Sequence, residues 1–238
     1  MAIFMLIHGG GHGGWCYQPV ARRLQKAGHI VYAPSLTGLA DRAHLVSDKV
    51  DLDLHITDVV KLLEYEDLRD VIIVGHSYGG MVITGVADRA LSRVGHLVFL
   101  DAAHPRNGES LVDSSKAMMD YARSSSRIVD GVELVMWPSP EVVELMGITE
   151  PAEAAWMLER LTPHPWKCFE QPLRMANEAA VRKIPHTSIN ASWSMKLRPP
   201  ESARRAREGE RAWEVDTGHD LMITEPKATA DLLLRLAG

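Results

Sequence analysis

Cysteine is scarce. The 238 residues hold two, Cys16 and Cys168, too few for a disulfide framework and without the spacing of metal ligands. A reducing cytoplasm is the simplest compartment to expect for such a chain. Positive charge is also in deficit: 26 Lys and Arg stand against 31 Asp and Glu, a net −5 with no basic stripe, which argues against nucleic-acid binding. The densest basic run, 198–211, is broken by Glu201, Glu208 and Glu210, and we expect a solvated helix face there. No apolar run is long enough to span a bilayer, so no membrane partner is expected. Residues 1–7 are apolar but lack a basic flank and lead straight into a glycine-rich turn, as a buried strand would. Repeats and low-complexity segments are missing, and the length suits one domain.

What is present is alternation. Short β-branched runs at 2–7, 29–33, 71–74, 96–100, 187–190 and 212–215 read as strands, and 18–27, 51–64, 78–91 and 226–236 carry apolar residues at helical spacing between or after them. Apolar strands alternating with helices predict an α/β fold, a mostly parallel sheet of about six strands flanked by helices. The alternation breaks between 105 and 183, where Met-, Trp- and Pro-bearing helical stretches take over. Residues 1–104 and 184–238 are therefore expected to form the core, and 105–183 a helical cap inserted before the next-to-last strand. Trp137 and Trp156 from the cap, with His12 and His104 from the core, are the candidates to line a substrate pocket.

Gly75-His76-Ser77-Tyr78-Gly79 lies between the strand ending at Val74 and an apolar helix. A serine on such a turn is strained, and glycines two residues to either side relieve the crowding, so Ser77 is the candidate nucleophile. After the first strand comes His8-Gly9-Gly10-Gly11-His12-Gly13-Gly14-Trp15, whose side-chain-free backbone allows close approach to a developing oxyanion. The expected donors are the amides of Gly10 and Tyr78. The same glycines satisfy GxGxxG, but the acidic residue that would hold a ribose about 20 positions on is missing from Tyr32-Ala33-Pro34-Ser35. His219, in the turn after the last strand, is the candidate base among eleven histidines. The usual place for the acid, after the next-to-last strand, holds Ser192-Trp193-Ser194 and no carboxylate. Asp101, at the end of an apolar strand, is the candidate instead, with Asp216 and Asp220 as alternatives.

These motifs, together with Ala33-Pro34-Ser35-Leu36-Thr37-Gly38-Leu39, Leu161-Thr162-Pro163-His164-Pro165 and Gly218-His219-Asp220, resemble the plant methylesterase and hydroxynitrile-lyase-like branch of the α/β-hydrolases and its bacterial relatives. The resemblance covers nearly the whole chain and implies an enzyme without cofactor or metal. It also implies a helical cap between strands six and seven of the family's count. The plant lyases carry a lysine after the catalytic histidine and a threonine after the first-strand histidine, where this chain has Asp220 and Gly9. Ester hydrolysis through a serine acyl-enzyme, on a small apolar or aromatic ester, is therefore the expectation. A carbon–carbon lyase and a non-catalytic ligand-binding protein on the same fold are the alternatives, and no oligomeric state follows from the residues.

Overall fold

The computed structural model describes residues 1–238. The chain opens with β1 (Ile3–Ile7), a 3-10 turn, α1 (Gln18–Lys26) and β2 (Ile30–Tyr32), then α2 (Leu52–Tyr65), β3 (Val71–His76), α3 (Gly79–Arg89) and β4 (Val94–Leu100). The excursion after β4 carries α4 (Leu111–Ser114), α5 (Lys116–Ser124), β5 (Arg127–Val129), β6 (Val132–Val135), α6 (Pro140–Leu145), α7 (Pro151–Leu158), β7 (His164–Pro165), α8 (Lys167–Glu170) and α9 (Glu178–Val181). β8 (His186–Ala191), α10 (Ser192–Met195), α11 (Pro200–Arg205), β9 (Arg211–Val215), α12 (Leu221–Thr224) and α13 (Pro226–Leu234) complete it.

Six strands form one sheet in the order β2-β1-β3-β4-β8-β9, every neighbouring pair parallel. β3 sits inside the sheet and is buried at all six positions, as its unbroken apolar run requires of a strand covered on both faces. From β1 the chain steps outward to β2, and from β2 back across to β3. Right-handed crossovers then place α1 on one face and α2 with α3 on the other. α13 packs beside α1 and α2 beside α3.

The excursion is not all helical. β5, β6 and β7 make a small antiparallel sheet that the apolar periodicity did not disclose. Its first hairpin turns at Asp130-Gly131, both with positive φ (50° and 81°), the backbone of a type I′ turn for which Asp-Gly is a favoured sequence. That dipeptide was the legible signal. Side chains of this segment, among them Trp137, Met157 and Phe169, join the same continuous apolar core as β1 and β3.

The glycine-rich loop after β1 is pinned against the end of β2. The Gly14 amide donates to Ser35 Oγ at 3.0 Å, and a Cβ on Gly14 would lie 1.9 Å from the Ala33 carbonyl oxygen. Backbone cannot retreat as a flexible side chain can. Gly14→Ala is expected to cost about 2–4 kcal/mol, read as a lower urea midpoint at unchanged m-value.

Candidate active site

In an open parallel sheet, ligands bind beyond the carboxyl ends of the strands where the winding direction reverses. Here the reversal falls between β1 and β3. Gly10 follows β1 and Ser77 follows β3, so the glycine loop and the serine turn meet at that crevice. Ser77 has φ +53°, left-handed backbone that a non-glycine residue occupies at some cost. The turn is tight because α3 starts almost on top of β1: a Cβ on Gly79 would lie 2.7 Å from the Ile7 carbonyl oxygen, and one on Gly75 2.6 Å from that of Gly79. Neither the Gly10 nor the Tyr78 amide donates to any acceptor within the protein. The Tyr78 side chain is buried, its hydroxyl 3.0 Å from His55 Nδ1.

Asp101 caps the end of β4, its amide donating to Ile189 of β8 at 2.7 Å and its φ positive at 45°. That kink turns its carboxylate over the end of β8. Oδ2 lies 2.6 Å from His219 Nδ1, while Oδ1 accepts from Ser194 Oγ at 2.6 Å, from Arg198 Nη2 at 2.9 Å and from the Ala191 amide at 3.4 Å. The space above β8 is thus filled by the β4 acid, and Ser194, at the position where the fold usually carries a carboxylate, serves as its donor. Burial works to raise the Asp101 carboxyl, but the bonds from His219, Arg198 and Ser194 outweigh it and hold Asp101 well below the usual carboxylate range. Asp216 instead accepts from Ser192 Oγ at the surface.

Burial presses the His219 imidazole down, and the Asp101 carboxylate more than compensates, leaving its pKa above the ordinary 6.5. Three buried rings nearby go the opposite way. His8, His76 and His104 are pushed down to about 3 by burial, so they stay neutral at any working pH. Asp220, fully buried, has Oδ1 3.4 Å from His12 Nε2 and 3.4 Å from His76 Nε2. Burial raises its carboxyl and these imidazoles draw it back down, to about 2.

Gly10, Ser77, Tyr78, Asp101 and His219 line one cavity of about 230 Å³, with no hydrogen bond between Ser77 Oγ and the His219 ring. Such contacts often tighten only when substrate is bound. The excursion after β4 contributes Met119, Trp137, Met146 and Phe169 to the wall, and the segment after β8 contributes Trp193 and Leu197. Of the four pocket candidates, His12 and Trp137 line it. The other two do not. His104 is bonded to Ser188 Oγ at 3.0 Å and stacked on Phe99, while Trp156 packs edge-on against Trp15 and under Arg160. Apolar character alone could not separate lining residues from supporting ones.

Arg198, in the run expected to form a solvated helix face, is instead 13% exposed and paired with Asp101. Arg205 is similarly drawn in, onto Glu109. Both arginines are held by acids remote in sequence, which charge patterning cannot register. His55, His164 and Cys168 bring ligand atoms within 4.8 Å of one another. Both His55 nitrogens are committed, to Tyr78 and to the Thr37 carbonyl, and the His164 Nδ1 accepts from the Gly11 amide, so the group reads as hydrogen-bonded support for the glycine loop. No helix is long and apolar enough to cross a membrane.

Known proteins resemble this chain in sequence or in fold. The carbendazim hydrolyzing esterase of Nocardioides sp. (strain SG-4G) is 37% identical, over 99% of this chain and 100% of its own. Methylesterase 9 of Arabidopsis thaliana is 29% identical over 68% of this chain and 69% of its own. Among solved structures, an extracellular α/β-hydrolase from a Paenibacillus species superposes with a TM-score of 0.80 at 22% identity, covering 99% of this chain and 98% of that one, a likeness of fold. The pattern that describes the alpha/beta hydrolase family matches residues 4–232, nearly the whole chain, and with its six-stranded parallel sheet this chain belongs to that family.

Proposed function

We propose that the protein is a serine carboxylesterase acting on a small apolar or aromatic ester. The observation that carries the reading is the 2.6 Å Asp101–His219 pair opening onto the same cavity as Ser77 and the two unspent amides of Gly10 and Tyr78. His219 Nε2 takes the Ser77 hydroxyl proton as Oγ attacks the ester carbonyl carbon. The oxyanion forms against the two amides, and the collapsing intermediate expels the alcohol, which leaves with the proton from His219. Water, deprotonated by His219, then attacks the acyl-enzyme and releases the acid. Asp101 keeps the ring oriented and offsets the imidazolium charge.

The names of the relatives, a carbendazim hydrolyzing esterase and a methylesterase, agree with ester hydrolysis. The apolar wall of Met119, Trp137, Met146 and Phe169 favours an apolar or aromatic substrate. Cyanohydrin cleavage would call for a cation beside His219, where the buried Asp220 stands. A fluorophosphonate probe tests the reading: one adduct per chain, located on Ser77 by peptide mass, with loss of p-nitrophenyl ester hydrolysis in step. No labelling, or cyanide release from mandelonitrile in place of ester turnover, overturns it.

The pH profile follows from the same pair. His219 must be neutral to accept the serine proton, and its pKa is raised by Asp101. As pH falls through that value the base is lost, so kcat/KM for a p-nitrophenyl ester should fall on the acid side with a midpoint above 6.5. A midpoint below 6.5 would contradict the assignment of Asp101 as its partner.

A further inference from the structure

We infer that Asp220 is a positioning residue that ties the oxyanion loop, the nucleophile turn and the histidine loop to one buried carboxylate. The inference rests on the serine-esterase reading above. Asp220 directly follows His219 and begins α12, yet its side chain caps nothing: neither oxygen receives a backbone hydrogen bond from that helix. Burying a carboxylate away from water costs several kcal/mol unless neighbouring groups compensate, so a residue with no capping role calls for another reason to be there.

Its neighbours supply that reason. On one side, Oδ1 faces His12 Nε2 at 3.4 Å, and His12 Nδ1 donates to the Gly10 carbonyl at 2.8 Å. On the other, the same oxygen lies 3.4 Å from His76 Nε2, which donates to the His219 carbonyl at 3.1 Å. His76 immediately precedes Ser77, and its ring lies against that of His219 with centroids 4.6 Å apart. One carboxylate therefore reaches the Gly10 loop through His12, the Ser77 turn through His76, and the base by direct chain connection. A carbonyl can only accept, so His12 Nδ1 donates to Gly10, while His12 Nε2 and both Asp220 oxygens have no hydrogen-bond partner and meet only at 3.4 Å. The three segments come from β1, β3 and the loop after β9, and among their side chains Asp220 is the one acid that faces both imidazoles. It touches neither cavity nor substrate, since it is fully buried behind His12 and His76.

The prediction concerns kcat, because a displaced base or donor weakens the transition state while the apolar wall still binds substrate. Asp220→Ala should lower kcat for a p-nitrophenyl ester roughly tenfold or more with KM within about twofold. Asp220→Asn keeps an acceptor for His76 and offers a donor to His12 Nε2, and should recover most of the loss. Fluorophosphonate labelling of Ser77 is to be followed in parallel. Wild type that fails to label refutes the esterase reading itself. Wild type and Asp220→Ala labelling and turning over alike refute the role of Asp220 alone, as does an Asn variant no better than the Ala one. If the Ala variant does not fold, His12→Asn decides, since it retains a donor for the Gly10 carbonyl while cutting the link to Asp220. A several-fold fall in its kcat supports the inference and wild-type kcat overturns it.

Discussion

Ser77→Ala is expected to reduce kcat for ester hydrolysis by about 10⁴-fold or more, leaving the residual rate that oriented donors and binding alone provide. Without Oγ no acyl-enzyme forms, and His219 can only activate water against a carbonyl placed for attack from the serine. Stability should move differently. Ser77 is held at φ +53°, and alanine inherits that strain unchanged. Ser77→Gly removes it, so the glycine variant should be equally inactive but more stable than the alanine variant by about 0.5–1 kcal/mol in urea denaturation. Equal stability of the two would mean that the turn imposes no cost. Measurable turnover by either at more than about a hundredth of wild type would mean that Ser77 is not the nucleophile.

The second large effect belongs to Asp101. Asp101→Asn should lower kcat by about 10³–10⁴-fold, because an amide cannot offset an imidazolium and can present an N–H to Nδ1, selecting the wrong tautomer. It should also destabilise the fold by about 3 kcal/mol, since Arg198, at 13% exposure, is left with a charge lacking its partner. Asp216→Asn provides the control. That carboxylate accepts from Ser192 Oγ at the exposed rim, and its loss should leave turnover near wild type. The reverse ranking would return the acid to the loop that also carries His219.

Much of the site could be read along the chain because its parts are local. A strand, a glycine-flanked serine and a helix are contiguous in 71–89, and a strained turn needs those glycines wherever the fold places it. His219 is equally visible as the histidine between the last strand and the terminal helix. Asp101 is less legible, since its claim rests on the empty position at Ser194, 93 residues away, and on the cost of leaving an acid at the end of an apolar strand. What the chain order does not carry is what depends on distant pairing. Arg198 resembled any arginine in a mixed-charge helix, and Ser194 any serine, until β4 and β8 lay side by side and brought both onto one carboxylate. Trp156 was as apolar as Trp137, and only packing decided which of them faces the cavity.

By itself, then, the amino-acid order determined the alternation of strands and helices, the break after the fourth strand, the strained serine turn and the loop holding the histidine. Each follows from backbone preference and apolar periodicity acting over a few residues. Tertiary structure alone decided which acid meets the imidazole, which side chains wall the cavity, and that Asp220 lies between two imidazoles and caps no helix. Those outcomes depend on which groups lose water together, and that is settled only when segments far apart in the chain are packed against one another.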